Sequence, residues 1–276
     1  MKARIVFEPH IPTALRRAFE YAGSRGFVAS MPQLLAARAS APYDNIIWNT
    51  WFTANSEESV VTTPHGNHVV VAINGGGILA SPDRIEQSLH ANQERLSPYG
   101  LTGQTAIKIS TKEAQDLLKG KLPDGSEVPL FSFDEFRQGI RNLPMRHGVI
   151  LDYELARKSK RGYEYFDILK DDPNMIVRAG GVEALAAYLD RFRKRHDTER
   201  MGNWHPYNRI DPGQPQTRIP FLAGNRGGIG SDKATGFGYD EEYGLGGDAS
   251  TVGMARYVAV APSGTSSNLR DIDFEH

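Results

Sequence analysis

Residues 60–71 read Val60-Val61-Thr62-Thr63-Pro64-His65-Gly66-Asn67-His68-Val69-Val70-Val71, two β-branched runs around a short stretch of turn formers. Branched side chains pack well on a pleated surface, while proline, glycine and asparagine supply the dihedrals of a tight reversal. The pattern predicts a hairpin with strands over 58–63 and 68–73. The second strand runs into Asn74-Gly75-Gly76-Gly77, and Ser81-Pro82-Asp83 then opens a helix over 82–95. Serine caps that helix, proline suits its first turn, and Asp83 complements the macrodipole.

Outward from the hairpin, Ile11, Leu15, Phe19 and Ala22 share one face of a helix over 11–22. Ser30 caps a short helix through Ala39, and Ser110 with Glu113 forms a capping box for a helix that stops at Gly120. Residues 133–142 suggest a further helix. Val182, Leu185, Ala186, Leu189 and Phe192 keep helical spacing over 181–196, and a last turn rich in arginine suits a helix C-terminus. Residues 46–53, 106–109, 148–151 and 254–261 read as strands by their β-branched and aromatic content. Together these elements predict an α+β class: a mainly antiparallel core sheet with flanking helices and a long Gly-rich loop region near the C-terminus. Residues 1–262 are expected to form one domain, with 263–276 a polar tail. The only place for a boundary is near 197–203.

Composition narrows the function. The chain has 32 basic and 33 acidic side chains, so no global charge draws it to nucleic acid. It has no cysteine, which removes disulfides, thiolate metal sites and a cysteine nucleophile. No apolar run approaches a membrane span, and the start lacks a signal-peptide core. A soluble, cytoplasmic protein is expected.

Several stretches carry candidate chemistry. Backbone donors at Asn74, Gly75, Gly76 and Gly77, followed by a helix start, suit a phosphate or carboxylate. Their spacing matches neither dinucleotide nor P-loop signatures, and a plain strand-to-helix turn needing positive φ is the simpler reading. His65, His68, His205 and Asp211 are weak candidates for a metal, requiring the long loop to fold over the hairpin. The segment 203–218 gathers Trp204, His205, Tyr207, Asn208, Arg209, Asp211 and Arg218, the composition of a binding surface or of a loop pinned by its aromatics. Between Gly224 and Gly253 ten of thirty residues are glycine, against eighteen in the rest of the chain. Within that loop Arg226 and Lys233 could clamp an anion, and Asp240, Glu241, Glu242 and Asp248 could hold a divalent cation. The cations of Arg157-Lys158-Ser159-Lys160-Arg161 read as a solvated run.

Two functions follow from these readings. One is a protein, an enzyme or a pure binder, that takes an anionic small molecule, nucleotide- or phosphate-bearing, through Gly-rich loops. The other is an interaction protein whose 197–253 segment is an arm that builds a homo-oligomer. No Gly-x-Ser-x-Gly elbow or HExxH spacing assigns a reaction, and no cofactor is indicated. Ordering a glycine costs more backbone entropy than ordering any other residue. Residues 224–250 are therefore expected to gain protection when a partner binds.

Overall fold

The first strand has no forerunner in the sequence reading: Lys2–Glu8 (β1) alternates exposed and buried positions at the very start of the chain. The computed structural model describes residues 2–90, 96–97, 100–101, 107–159, 162–203, 207, 212–222, 235–237 and 255–262. Helix Ile11–Ala22 (α1) follows with proline in its first turn and Gly23 at its end. Phe27–Val28 (β2) leads to Met31–Ser40 (α2), whose Ser30–Gln33 capping box satisfies the first orphan donors.

The expected strand over 46–53 is corrected. Residues Ile46–Trp48 form a single 3-10 turn, and only Phe52–Thr53 (β3) is extended. The Asn45 side chain accepts the amide of Ile47, turning the chain, and the buried Arg38 guanidinium donates to the carbonyls of Ile47 and Thr50. Local hydrogen bonds therefore outcompete the strand propensity of these residues.

The hairpin forms as read. Ser56–Thr62 (β4) and His68–Asn74 (β5) pair antiparallel, with Val60 opposite Val70 and Thr62 opposite His68. Pro82–His90 (α3) comes next; residues 91–95 of the expected helix lie outside the described residues. A small ladder joins Leu96–Ser97 (β6) to Gly100–Leu101 (β7), and Ile107–Lys108 (β8) precedes Thr111–Leu117 (α4) with its Ser110–Glu113 box. Leu130–Ser132 (β9) runs into Phe133–Gln138 (α5), ended earlier than expected by Gly139 at φ +94°.

Then come His147–Asp152 (β10), Tyr153–Ala156 (α6), Gly162–Tyr165 (β11), Phe166–Leu169 (α7), Pro173–Ala179 (α8) and Val182–His196 (α9). Arg200–Asn203 (β12), Gln216–Arg218 (β13), Phe221–Leu222 (β14), Thr235–Phe237 (β15) and Ala255–Ala261 (β16) complete the described elements.

The principal sheet has the order β8-β13-β4-β5-β10-β9, antiparallel except where β9 meets β10. Its strands are buried on both faces. Val60, Val70, Ala72, Val149 and Leu151 pack toward α2, α8 and α9, around Trp48, Tyr188 and Phe192. Val61, Val69, Val71 and Ile73 face the other way, onto a cluster with Leu15 of α1 and Ile85 of α3. The strand at the end of the described chain does not join this sheet. Strand β16 lies between β1 and β2 in a separate three-stranded sheet, with Lys2 opposite Ala261 and Glu8 opposite Ala255. Its placement brings both ends of the described chain together and fixes the far end of the glycine-rich stretch.

Candidate functional site

Strand β4 carries two adjacent acids, and strand geometry sends them to opposite faces. Glu58 points toward α8, where it is 4% exposed. Arg178 grips it with a bidentate pair, Nε to Oε1 at 2.5 Å and Nη2 to Oε2 at 2.9 Å. Arg218 of β13 donates its Nε to Oε2 at 2.8 Å, and its Nη2 reaches the same oxygen. The Tyr207 hydroxyl donates to Oε2 at 2.7 Å, and its ring lies under the Arg218 guanidinium, 4.9 Å from centroid to carbon. Every member is buried, Arg218 completely.

Supports converge from several elements. The Asp172 carboxylate caps α8 by accepting the amides of Asn174 and Met175, and takes the Ser159 hydroxyl at 2.7 Å. The Tyr153 hydroxyl donates to the carbonyl of Tyr207 at 2.8 Å. Burial raises the Tyr207 phenol, and the Glu58 charge raises it further. For Arg178 burial favours losing the proton, yet the Glu58 carboxylate overrides it and holds the guanidinium charged. One carboxylate thus answers two guanidiniums, and Nη1 of Arg218 is buried with no hydrogen-bond partner.

Glu57 faces the opposite side, 1% exposed, beneath the glycine turn. Its Oε2 accepts the Leu79 amide at 2.7 Å, and its Oε1 accepts the Ser59 hydroxyl at 3.0 Å. A Cβ built on Gly77 would sit 2.7 Å from Oε2, so glycine there is what lets the acid approach. Gly75 and Gly76 hold φ of +88° and +104°, and the Gly75 amide donates to the carbonyl of Asn55. Asn74 turns inward, accepting the Ser56 hydroxyl at 2.8 Å and lying 3.3 Å from His147. The amide that Glu57 takes belongs to Leu79, two residues beyond Gly77, while the Gly75 amide goes to the Asn55 carbonyl. Burial raises the Glu57 acid above the ordinary carboxylate range.

The other candidates separate. His65 is exposed at the hairpin tip, whereas the His68 ring lies 3.0 Å from the Thr62 hydroxyl and packs edge-on against Tyr153. Among the described residues no group of three or more His, Asp or Glu side chains is placed to hold a metal. Trp204, His205, Arg209, Asp211, Arg226 and Lys233 lie outside the described residues, as do Asp240, Glu241, Glu242 and Asp248. Of the segment 203–218, Tyr207 and Arg218 are pinned to the core and are not surface contacts. Arg157 reaches Glu154 at 3.3 Å, as a solvated helix end would.

Sequence reading missed Glu57, Glu58 and Arg178. The available signal was Ser56-Glu57-Glu58-Ser59 leading straight into Val60-Val61: charges inside a strand that is otherwise apolar need buried partners.

No family model matches the chain, and no curated protein does. A solved structure described as "Accommodation of massive sequence variation in Nanoarchaeota by the C-type lectin fold" superimposes with a TM-score of 0.64. The alignment covers 93% of this chain and 96% of that one, at 22% identity. The protein is an α+β protein with a C-type-lectin-like fold. No described helix is long and apolar enough to cross a membrane.

Proposed function

We propose that this is a ligand-binding protein whose recognition surface is carried by residues 204–211 and 223–254. The reading rests above all on the buried Glu58–Arg178–Arg218–Tyr207 cluster, which anchors Tyr207 and Arg218 to the principal sheet. Both stretches start or end at fixed points: Asn203 in β12, Tyr207, Leu222 in β14 and Ala255 in β16. Loops on a rigid scaffold can change their contact residues without disturbing the core. The solved structure described as accommodating massive sequence variation belongs to the same general fold, which supports that division of labour here.

The ligand chemistry that fits best is anionic, a nucleotide or another phosphate-bearing molecule. The buried Arg218 guanidinium, whose Nη1 has no hydrogen-bond partner among the described residues, supports that choice. Arg209, Arg226 and Lys233 supply further cations, and Trp204 and His205 supply stacking surfaces. The turn at 74–77 is a second candidate contact, with the Gly75 amide already taken by the Asn55 carbonyl. The arm reading has less support: Phe221 pairs with Thr53 of the same chain, and Tyr207 is buried in its own core.

A thermal-shift screen of nucleotides, sugar phosphates and divalent metals tests the proposal. Expected is a rise in melting temperature with at least one anionic ligand, reduced when Arg226 and Lys233 are both changed to alanine. No shift with any anion would reject the anionic reading.

A further inference from the structure

A cleft of about 800 Å³ runs along the outer edge of β1. Five consecutive residues, Arg4 to Glu8, line it. Successive strand side chains point to opposite faces, so a space touching all five must wrap the strand's hydrogen-bonding edge. Among the described residues β1 pairs with β16 alone, over seven residues in unbroken register, with neither bulge nor proline to blunt the other edge. The cleft walls differ. On one side stand Arg17, Glu20 and Tyr21 of α1, with Arg4 over the Tyr21 ring at 5.7 Å. On the other side are Ile5, Phe7 and Ile46, with the Arg256 guanidinium over the Phe7 ring at 4.9 Å; Phe7 and Ile46 are 46% and 39% exposed. Arg17 is paired with Glu8, whereas Arg4 makes no ion pair among the described residues.

An edge of this kind asks for an extended backbone that alternates apolar with polar or charged side chains, with a carboxylate beside Arg4. Asp271-Ile272-Asp273-Phe274-Glu275 has that alternation, over the same five-residue length as the lined part of β1. Chain geometry allows it to arrive. Ala261 ends β16 directly opposite Lys2, at one end of the cleft. The residues between Ala261 and Asp271 can span roughly 30 Å, while crossing two strand spacings needs only about 10 Å. A segment entering there runs parallel to β1.

We propose that the groove along β1 takes residues 271–275 of the same chain as an added parallel strand. Ile272 then neighbours Ile5 and Phe274 neighbours Phe7, while Asp271 faces Arg4, which makes no ion pair among the described residues. The proposal is independent of the ligand-binding reading, because none of these residues belongs to the proposed recognition loops.

Two measurements on the full-length chain test it. Amide hydrogen exchange of residues 4–8 is compared between the parent protein and Ile272→Asp/Phe274→Asp. At least tenfold faster exchange in the variant is expected, and equal rates in the two proteins would overturn the proposal. The chain has no cysteine, so Phe7→Cys/Phe274→Cys creates a single possible pair. Oxidation should give an intrachain disulfide that runs as a monomer. A disulfide-linked dimer would assign the groove to a second copy, and failure to form any disulfide would leave the edge strand unoccupied by this segment; both overturn the proposal.

Discussion

Oε2 of Glu58 lies 2.8 Å from Nε of Arg218, a residue 160 positions later, and that contact ties the second half of the chain to the hairpin formed by the first. Arg178 and Tyr207 close on the same carboxylate. Glu58→Gln removes the negative charge but keeps the shape, leaving two guanidiniums buried together. Removing one member of a buried ionic network costs about 3–5 kcal/mol. Urea denaturation should show a loss of that order for Glu58→Gln; a change below 1 kcal/mol would mean the cluster is screened by groups outside it.

Tyr207→Phe removes a single donor to the same oxygen while keeping the ring under Arg218. The expected cost is about 1–3 kcal/mol, smaller than for Glu58→Gln. The double variant should cost less than the sum, since both act on one network. Denaturant midpoints of the three variants settle this.

Gly76→Val and Gly77→Ala test the glycine turn as a structural element. A Cβ on Gly76 would lie 2.9 Å from that of Ala80, at a positive φ that valine avoids. On Gly77 it would collide with the Glu57 carboxylate and break its bond to the Leu79 amide. Both substitutions should lower the melting temperature without any ligand present. A variant that keeps its stability yet loses a ligand would instead assign the turn to the binding surface.

Glu57 and His196 give opposite pH signatures. Burial raises the Glu57 acid, so the folded state binds its proton more tightly than the unfolded chain. Its contribution is fully present below the ordinary glutamate value and is lost as pH rises through the raised one. Glu57→Gln should therefore gain stability relative to the parent as pH rises toward neutral. Burial, with help from Arg195 and Arg38, pushes His196 down to about 4. There the unfolded chain binds the proton more tightly, so stability falls as pH drops from 6.5 toward 4. His196→Phe should flatten the profile in that window, since the ring packs 4.4 Å from Phe192. Stability measured by denaturation from pH 4 to 8 checks both, and nuclear magnetic resonance should show His196 neutral at pH 5.5.

The sequence alone determined what depends on neighbours along the chain. Val60–Val71 specified a hairpin because β-branched runs and a Pro-Gly-Asn turn act within a dozen residues. The serine cap at Ser30, the capping box at Ser110 and the periodicity of 182–196 were legible for the same reason. Tertiary structure decided the rest. Lys2–Glu8 becomes a strand by pairing with β16, about 250 residues away. Residues 46–50 have strand propensity, but Arg38 and Asn45 hold them as a turn, and only Phe52–Thr53 is extended. Glu58 and its two arginines sit on three separate elements and only packing brings them together. Long-range pairing carries no periodic signature in the sequence, since its partners are chosen by burial and charge compensation in the folded chain.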